Sequence, residues 1–295
     1  MSRPCLCDRV RLGRPWDGTD CWPCWAFHHL PAFHRAGGGT GGVVAFAPAD
    51  HARPPLSAAP LVTVPGPPPL ALRPRWPRAV VTVAHGPEGE ELLAVSGPLM
   101  AAYAARLRAD FVVLDWPGPP AWPMGAKFGI GRALEHYARV LYADADVLFM
   151  PGCPNLFGET PAGHWGGYDD RPYLTARRQA AAVLDELTGL RVQQGLGYAP
   201  PPPWYLNTGV FVCDRAHRGV LAPPAGPIPA SHLSEQHLFN ARLLDAGGPV
   251  RLLDRACNYQ WWTDAGFTDP PRRAVLHFSG LKDHAERVRQ MRRFA

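Results

Sequence analysis

Residues 79 to 114 carry an apolar pattern that constrains the fold more than any other part of the chain. The run from Ala79 to Ala84 is typical of a buried strand, and His85-Gly86-Pro87 ends it. Apolar residues then recur at helical spacing up to Leu107, and Phe111 to Leu114 form a second apolar run. Strand, helix and strand with a short return predict a βαβ unit. The sequence therefore predicts an α/β fold in which helices flank a mostly parallel central sheet.

The composition indicates a globular protein with many loops. Hydrophobic residues make up 46% of the 295 and charged residues 19%, so the chain can bury a sizeable core. The 35 prolines and 30 glycines favour loops over long helices. Because the basic residues behind the net charge of +5 are scattered, they indicate tolerance for a polyanionic small molecule such as a nucleotide and disfavour a nucleic-acid partner.

The chain has no obvious targeting or membrane segment. No apolar run approaches the roughly 18 residues that a membrane helix needs, and the first residues lack an apolar core of signal-peptide length. The sequence therefore predicts no membrane span and a cytoplasmic location. It does not indicate an oligomeric state.

Four of the seven cysteines are clustered near the start of the chain, as Cys5, Cys7, Cys21 and Cys24. Two short-spaced pairs can close a tetrahedral thiolate site, so structural Zn²⁺ is one interpretation, with an Fe–S cluster or free thiols as alternatives. Because the segment is poor in aliphatic residues, a metal would have to supply folding free energy. We predict a Cys/His-rich metal-binding segment over residues 1–42, a Pro/Gly-rich linker over 43–78 and the main domain over 79–295.

Two aspartates lie between two apolar runs in the middle of the chain. Asp144 and Asp146 are separated by one residue, so both carboxylates can reach one point from the end of a strand. Mg²⁺ and Mn²⁺ accept one or two carboxylates together with substrate phosphates. The alternative is that both are ordinary turn residues between two strands.

Three further places are candidates for ligand contact. In an open parallel sheet the ligand lies beyond the carboxyl ends of the strands, which makes Val83, Ala84 and His85 a candidate nucleotide-contacting edge. Asn207-Thr208-Gly209 interrupts an apolar β-rich run, so a ligand could approach the backbone closely there. Glu235 lies in the first turn of a predicted helix, where it either caps the helix or serves as a site acid.

The order of these features resembles the glycogenin and lipopolysaccharide-galactosyltransferase type of GT-A glycosyltransferase, a family 8-like group, from residue 79 to about residue 284. The matching features, in chain order, are Lys127 in a helix, Tyr142-x-Asp144-x-Asp146, Asn155-Leu156-Phe157, Leu206-Asn207-Thr208-Gly209-Val210-Phe211, Glu235-Gln236-x-x-x-Asn240, Asn258-Tyr259 and His277-Phe278-x-Gly280-x-Lys282. The resemblance implies a GT-A fold for residues 79–295.

The resemblance also implies an activity and a set of site residues. The family transfers a sugar from a nucleoside diphosphate sugar, here most simply a UDP-sugar, to an acceptor hydroxyl with retention at the anomeric carbon. By resemblance, Mn²⁺ or Mg²⁺ would be held by Asp144, Asp146 and His277. Catalytic roles would fall to Glu235, Gln236 and Lys127. The donor would contact Val83, Ala84, His85, Lys127, Asp144, Ala145, Asn207, Thr208, Gln236, Gly280 and Lys282.

The chain departs from the family pattern at three places. Glu235 stands where the family commonly has Asp, so its carboxylate reaches one methylene further. Lys282-Asp283-His284 replaces the usual Lys-Pro-Trp, and Ala84-His85 replaces a Thr or Asn near the base. The base preference and the acceptor therefore do not follow from the resemblance.

Two alternative functions are compatible with the predicted fold. A nucleotidyltransferase would need a Gly-rich, basic phosphate loop after the first strand, and the acidic stretch Ala84 to Glu91 disfavours it. A scaffold or binding protein on a transferase domain would recruit a partner through the Cys-rich front segment.

The basic helix predicted from about Asp283 is interpreted as a solvated face.

Overall fold

The computed structural model describes residues 60–116, 122–176, 180–196, 203–231, 233–261, 267 and 274–295. The predicted cysteine site at Cys5, Cys7, Cys21 and Cys24 lies outside these residues, as does the linker up to residue 59. The predicted division of the chain at residues 42 and 78 stays a prediction.

Eleven strands and seven α-helices make up the described part. The strands are β1 (Leu61–Val62), β2 (Arg78–Val83), β3 (Asp110–Leu114), β4 (Arg139–Ala143), β5 (Val147–Phe149), β6 (Trp165–Asp169), β7 (Leu206–Asp214), β8 (Ile228–Pro229), β9 (Val250–Leu252), β10 (Tyr259–Gln260) and β11 (Val275–His277). The helices are α1 (Gly86–Arg106), α2 (Ile130–His136), α3 (Leu156–Glu159), α4 (Arg171–Ala176), α5 (Ala180–Gln193), α6 (Ser234–Ala246) and α7 (His284–Phe294).

The central sheet has six strands in the order β3-β2-β4-β7-β6-β9. Strand β2 pairs in parallel with β3 and β4, and β6 pairs in parallel with β9. Strand β7 is antiparallel to both β4 and β6. The predicted βαβ unit is present as β2-α1-β3, and the prediction of an α/β fold with a central sheet and flanking helices is confirmed.

Both faces of the inner strands of the central sheet are covered, which explains why β2, β4 and β7 are buried over most of their length. Neighbouring residues of one strand point to opposite faces. Val81 and Tyr142 therefore pack with α2 and α6, whereas Val80 and Leu141 pack with α1. Polar residues therefore lie at one edge of this sheet, where β2 and β4 end and where β7 begins.

A second, smaller sheet continues from the central one. The chain leaves the central sheet at the end of β4, and after the Asp144–Asp146 turn β5 pairs antiparallel with β11, which in turn pairs in parallel with β10. The remaining two strands, β1 and β8, pair with each other. The second sheet brings the last third of the chain to the Asp144–Asp146 turn.

Two local predictions need correction. Lys127 lies in a 3-10 helix, Pro123–Gly129, and α2 begins only at Ile130. Helix α7 is not a fully solvated face, because Val288 and Met291 are buried in an apolar cluster with residues of α1 and β11. Because most residues of this helix are basic or polar, its two buried apolar positions are not evident from the sequence pattern. Within the described residues, no helix combines the length and apolar character required to span a membrane.

Candidate active site

The two aspartates lie in a turn that is held by the backbone of β7. Strand β4 ends at Ala143, and the N–H of Asp144 donates to the carbonyl oxygen of Gly209 at 2.8 Å. The N–H of Val147 then donates to the carbonyl oxygen of Asp144 at 3.1 Å, where β5 begins. Asp144 and Asp146 are thus turn residues between two strands, and both carboxylates lie at the carboxyl edge of β4.

The register of the second sheet brings His277 to this turn. Val147 pairs with His277 across β5 and β11, and the N–H of Phe278 donates to the carbonyl oxygen of Asp146 at 3.0 Å. The Nε2 atom of His277 lies 3.5 Å from Oδ1 of Asp146 and 3.7 Å from Oδ2 of Asp144. One ligand atom from each of the three side chains lies within 4.8 Å of the others. The structure therefore places the predicted Asp-Asp-His group at one point.

This group is chemically suited to a divalent cation. Two carboxylates and one imidazole make a mixed oxygen and nitrogen ligand set. Burial lowers the pKa of His277 although the neighbouring aspartates act to raise it, so the imidazole is neutral at pH 7 and can act as a ligand. The residues present could hold such an ion, and their role as metal ligands stays a prediction.

A glycine in β7 makes room for the His277 ring. A Cβ atom added to Gly209 would lie 2.1 Å from Cε1 of His277. The carbonyl oxygen of the same glycine accepts the N–H of Asp144. Gly209 is therefore required by the close approach of the imidazole rather than by its own backbone angles.

Lys127 faces the carboxylates from the other side. Its Nζ atom lies 3.0 Å from one oxygen of Asp144 and 3.5 Å from Oε1 of Glu235, and donates to the carbonyl oxygen of Thr208 at 3.3 Å. Burial acts to lower the pKa of Lys127, but Asp144 and Glu235 outweigh it and raise the pKa. Lys127 is therefore a buried cation, and its predicted contact with a diphosphate stays a prediction.

The acid at the start of α6 is buried behind Lys127. Glu235 is 2% exposed, and its Oε2 atom has no hydrogen-bond partner within the described residues. Burial raises the pKa of Glu235 in spite of the charge on Lys127. The N-cap position of α6 is Leu233, and a hydrogen bond from the backbone N–H of Glu235 to its own carboxylate also acts to lower the pKa. Both interpretations of Glu235, as a group that satisfies the first turn of the helix and as a site acid, therefore stay predictions.

A layer of amide side chains surrounds a second buried acid, Asp170. Its Oδ2 atom accepts from Nδ2 of Asn207 at 2.8 Å and from Nε2 of Gln236 at 3.5 Å. Its Oδ1 atom accepts from Nε2 of Gln260 at 2.6 Å. Burial raises the pKa of Asp170 to about 7, although these three amides act to lower it. Asn207 and Gln236 are thus bound to protein groups, and their predicted contact with a donor sugar stays a prediction.

The remaining predicted positions lie around the same edge of the sheet. Val83 ends β2, which is parallel to β4, so His85 follows at the same edge as the aspartates. Nδ1 of His85 lies 2.7 Å from Oδ1 of Asp115. Gly280, with a φ of 81°, and Lys282 follow β11 on an exposed loop. Their roles in binding a donor stay predictions.

The sequence reasoning missed several residues that the structure brings to the site. Nη1 of Arg287, on α7, lies 3.6 Å from Oδ2 of Asp146. Nothing in its helical context distinguishes it from the solvated arginines of that helix. Asp170 and Gln260 had no signal either: Asp170 follows β6 within the charged run Asp169-Asp170-Arg171, and Gln260 lies in the two-residue strand β10. The resemblance includes Asn258 without giving it a role; in the structure its Nδ2 donates to Oδ1 of Asn207, and its Oδ1 lies 2.9 Å from Nδ1 of His277.

No protein-family model matches the chain, and no curated protein matches it by sequence. Among solved structures, the chain is similar to a glycosyltransferase involved in the glycosylation of the major capsid of PBCV-1, at 13% identity over 73% of this chain and 98% of that chain, with a TM-score of 0.49. It is similar to galactosyltransferase LgtC in complex with donor and acceptor sugar analogs, at 14% identity over 74% and 96%, with a TM-score of 0.44. Mouse xyloside xylosyltransferase 1 follows at 14% identity over 69% and 98%, with a TM-score of 0.37.

All three are named as glycosyltransferases. At 13–14% identity the similarity concerns the fold alone. The chain has a mixed α/β fold that is similar to solved glycosyltransferases, and it carries an Asp-Asp-His group at the edge of its central sheet.

Proposed function

We propose that this protein is a metal-dependent glycosyltransferase that moves a sugar from a nucleoside diphosphate sugar, most simply a UDP-sugar, to an acceptor hydroxyl. The observation that carries the proposal is the meeting of Asp144, Asp146 and His277 at one point, beside the buried Lys127. Two carboxylates, a neutral imidazole and a fixed cation suit a diphosphate and its divalent ion. The sequence resemblance favours the same function.

Each protein group then has a definable task. A divalent cation bound by the Asp-Asp-His group would supply Lewis-acid stabilisation of charge on the leaving diphosphate. Lys127, held by Asp144 and Glu235, adds a fixed positive charge that needs no reorganisation during the reaction. Glu235 presents a carboxylate oxygen with no described partner and can stabilise positive charge that develops at the anomeric carbon.

The proposed reaction balances without any further reactant. The bond between the anomeric carbon and the diphosphate oxygen breaks, and its electron pair stays on the nucleoside diphosphate. The acceptor oxygen forms the new bond to the anomeric carbon, and its proton is released to solvent. We propose retention at the anomeric carbon on the sequence resemblance alone, and product stereochemistry measured by proton NMR tests it.

The proposal is tested by release of nucleoside diphosphate from a panel of UDP-, GDP- and dTDP-sugars in the presence of Mn²⁺. We expect one donor to be hydrolysed even without acceptor, and chelation of the metal to stop the release. Asp146→Asn should abolish turnover, because it removes one charge from the metal ligands while keeping the shape of the side chain. Asp185→Asn on the exposed surface of α5 is the matched control and should leave turnover unchanged.

Release of nucleoside diphosphate that is insensitive to chelation would contradict the metal dependence. No release from any donor, together with no binding of donor as judged by thermal unfolding with Mn²⁺, would contradict the transferase proposal and favour the scaffold alternative.

A further inference from the structure

We propose that Asp170, Asn207 and Asn258 form a hydrogen-bond relay that holds the proton of His277 on Nδ1 and leaves the lone pair of Nε2 facing Asp144 and Asp146. The three relay residues are positioning residues, since none of them belongs to the Asp-Asp-His group. The cation-binding consequence of the relay rests on the proposed function, whereas the position of the proton does not.

The relay is a continuous chain of short hydrogen bonds between buried side chains. Oδ2 of Asp170 accepts from Nδ2 of Asn207 at 2.8 Å. Oδ1 of Asn207 accepts from Nδ2 of Asn258 at 2.8 Å. Oδ1 of Asn258 lies 2.9 Å from Nδ1 of His277. All four side chains are buried, so water does not compete with these bonds.

The orientation of the first amide is set by a backbone group. The N–H of Gly209 can only donate, and it lies 2.8 Å from Oδ1 of Asn207. The oxygen of the Asn207 amide must therefore face Gly209, and its NH₂ group must face Asp170. This assignment does not depend on the protonation state of Asp170.

The acid at the far end of the relay is fixed in the same way. The N–H of Thr208 donates to Oε1 of Gln236 at 3.2 Å, so Nε2 of Gln236 faces Asp170 as a donor. Nε2 of Gln260 donates to the other oxygen of Asp170. Three amide donors therefore converge on Asp170 and hold it as the acceptor that the relay needs.

The orientation then passes along the relay to the imidazole. Since Oδ1 of Asn207 accepts, the group of Asn258 that faces it is the NH₂ group. The oxygen of Asn258 then faces His277, and an oxygen without a hydrogen can only accept. Nδ1 of His277 must therefore carry the proton, and in the neutral ring Nε2 carries the lone pair.

The distances show which partner controls the proton. On their own, the carboxylates of Asp144 and Asp146 would attract a proton onto Nε2, but they lie 3.7 and 3.5 Å away, beyond good hydrogen-bond length. Asn258 lies at 2.9 Å from Nδ1. The shorter contact favours the Nδ1–H tautomer, which is the form whose Nε2 can bind a cation.

The test measures the tautomer of His277 in the metal-free full-length protein by NMR of nitrogen-15-labelled histidine, at alkaline pH where the ring is neutral. The signal is assigned by its loss in His277→Gln. We expect Nδ1–H in the unchanged protein and a shift of the proton to Nε2 in Asn258→Leu. Asn258→Asp keeps an acceptor at the same position, and we expect it to keep the proton on Nδ1.

A second readout is the affinity for Mn²⁺, measured from the electron paramagnetic resonance signal of the free ion. We expect Asn258→Leu to weaken binding about 10- to 100-fold, as is typical when the partner of a metal-ligating histidine is removed. Asn240→Leu is the matched control. Asn240 is equally buried, but its amide bonds only to backbone groups of Leu206 and Gln236 among the hydrogen bonds of the described residues, so this variant should lose stability and keep the tautomer.

The proposal is overturned if the unchanged protein carries its proton on Nε2, a result that needs no variant. It is also overturned if folded Asn258→Leu keeps the proton on Nδ1, or if Asn240→Leu moves the proton as far as Asn258→Leu does. A protein that has the Nδ1–H tautomer but binds no Mn²⁺ contradicts the proposed metal-dependent function and supports the relay.

Discussion

At the scale of single residues, Gly209 shows how closely the site is packed. An added Cβ would lie 2.1 Å from the His277 ring, well inside van der Waals contact, and both residues are fixed in strands. The ring, which is 3% exposed, has little room to retreat. A single methyl group at position 209 should therefore displace the His277 ring from the two aspartates.

We expect Gly209→Ala to displace His277 and to weaken Mn²⁺ binding at least about tenfold, in the range seen when the geometry of a metal ligand is lost. Titration of Mn²⁺ into the purified variant measures the change. Gly189→Ala is the matched control, because a Cβ there meets nothing within 4 Å in helix α5. Unchanged Mn²⁺ affinity in Gly209→Ala would contradict the close contact.

Lys127 allows the electrostatic part of the proposal to be tested separately. We expect Lys127→Met to lower turnover of the donor by about 10² or more, because it removes a fixed charge beside the leaving group. Steady-state kinetics with the donor found in the panel measures the effect on kcat and KM. Arg289→Met removes a mostly exposed cation from α7 and should have little effect. A kcat within twofold of the unchanged enzyme would argue against the role of Lys127.

At the scale of elements, Asn240 joins α6 to the first residue of β7. Asn240 accepts from the N–H of Leu206 at 2.7 Å and donates to its carbonyl oxygen at 2.9 Å. This pairing fixes the start of β7 relative to the helix that carries Glu235 and Gln236. The amide thereby takes the place of a neighbouring strand for one residue of β7.

We expect Asn240→Leu to destabilise the protein by about 1–3 kcal/mol for each backbone group of Leu206 left without a partner. Urea unfolding followed by circular dichroism gives the free energy of unfolding of both proteins. Asn155→Ala, which removes an exposed N-terminal cap of the short helix α3, should cost about 1 kcal/mol. A smaller loss at Asn240 than at Asn155 would contradict its joining role.

At the scale of the whole molecule, Asp170 links stability to pH. Burial raises its pKa in the folded protein to about 7, whereas an unfolded chain has a value near 4. Between these two values the folded state binds more protons than the unfolded state. The contribution of Asp170 is therefore fully present below about pH 4 and is lost as the pH rises towards 7.

We expect the free energy of unfolding of the unchanged protein, relative to Asp170→Asn, to fall between about pH 5 and about pH 8. Urea unfolding of both proteins at the two pH values gives this difference. Asp170→Asn has no titratable group at position 170, so its free energy of unfolding at each pH is the reference for the unchanged protein. A difference that stays constant or rises with pH would show that the folded pKa of Asp170 is not raised.

Features that depend on neighbouring positions in the chain can be predicted from the amino-acid sequence alone. The apolar runs at β2, β3 and β4, the βαβ unit and the Asp144–Asp146 pair at the end of a strand all follow from local periodicity. The resemblance added His277 to this pair, although more than a hundred positions separate them. Lys127 was placed in a helix, and the structure has it in the 3-10 turn before α2.

Which distant residues share the site depends on how the strands and helices pair and pack. His277 reaches the aspartates because Val147 pairs with it across β5 and β11, and a shift of one residue in that register would turn its side chain to the other face. Arg287, Asp170 and Asn258 meet there by the packing of separate elements. The physical reason is that local periodicity encodes which face of an element is buried, whereas the pairing of elements depends on the summed packing of the whole core.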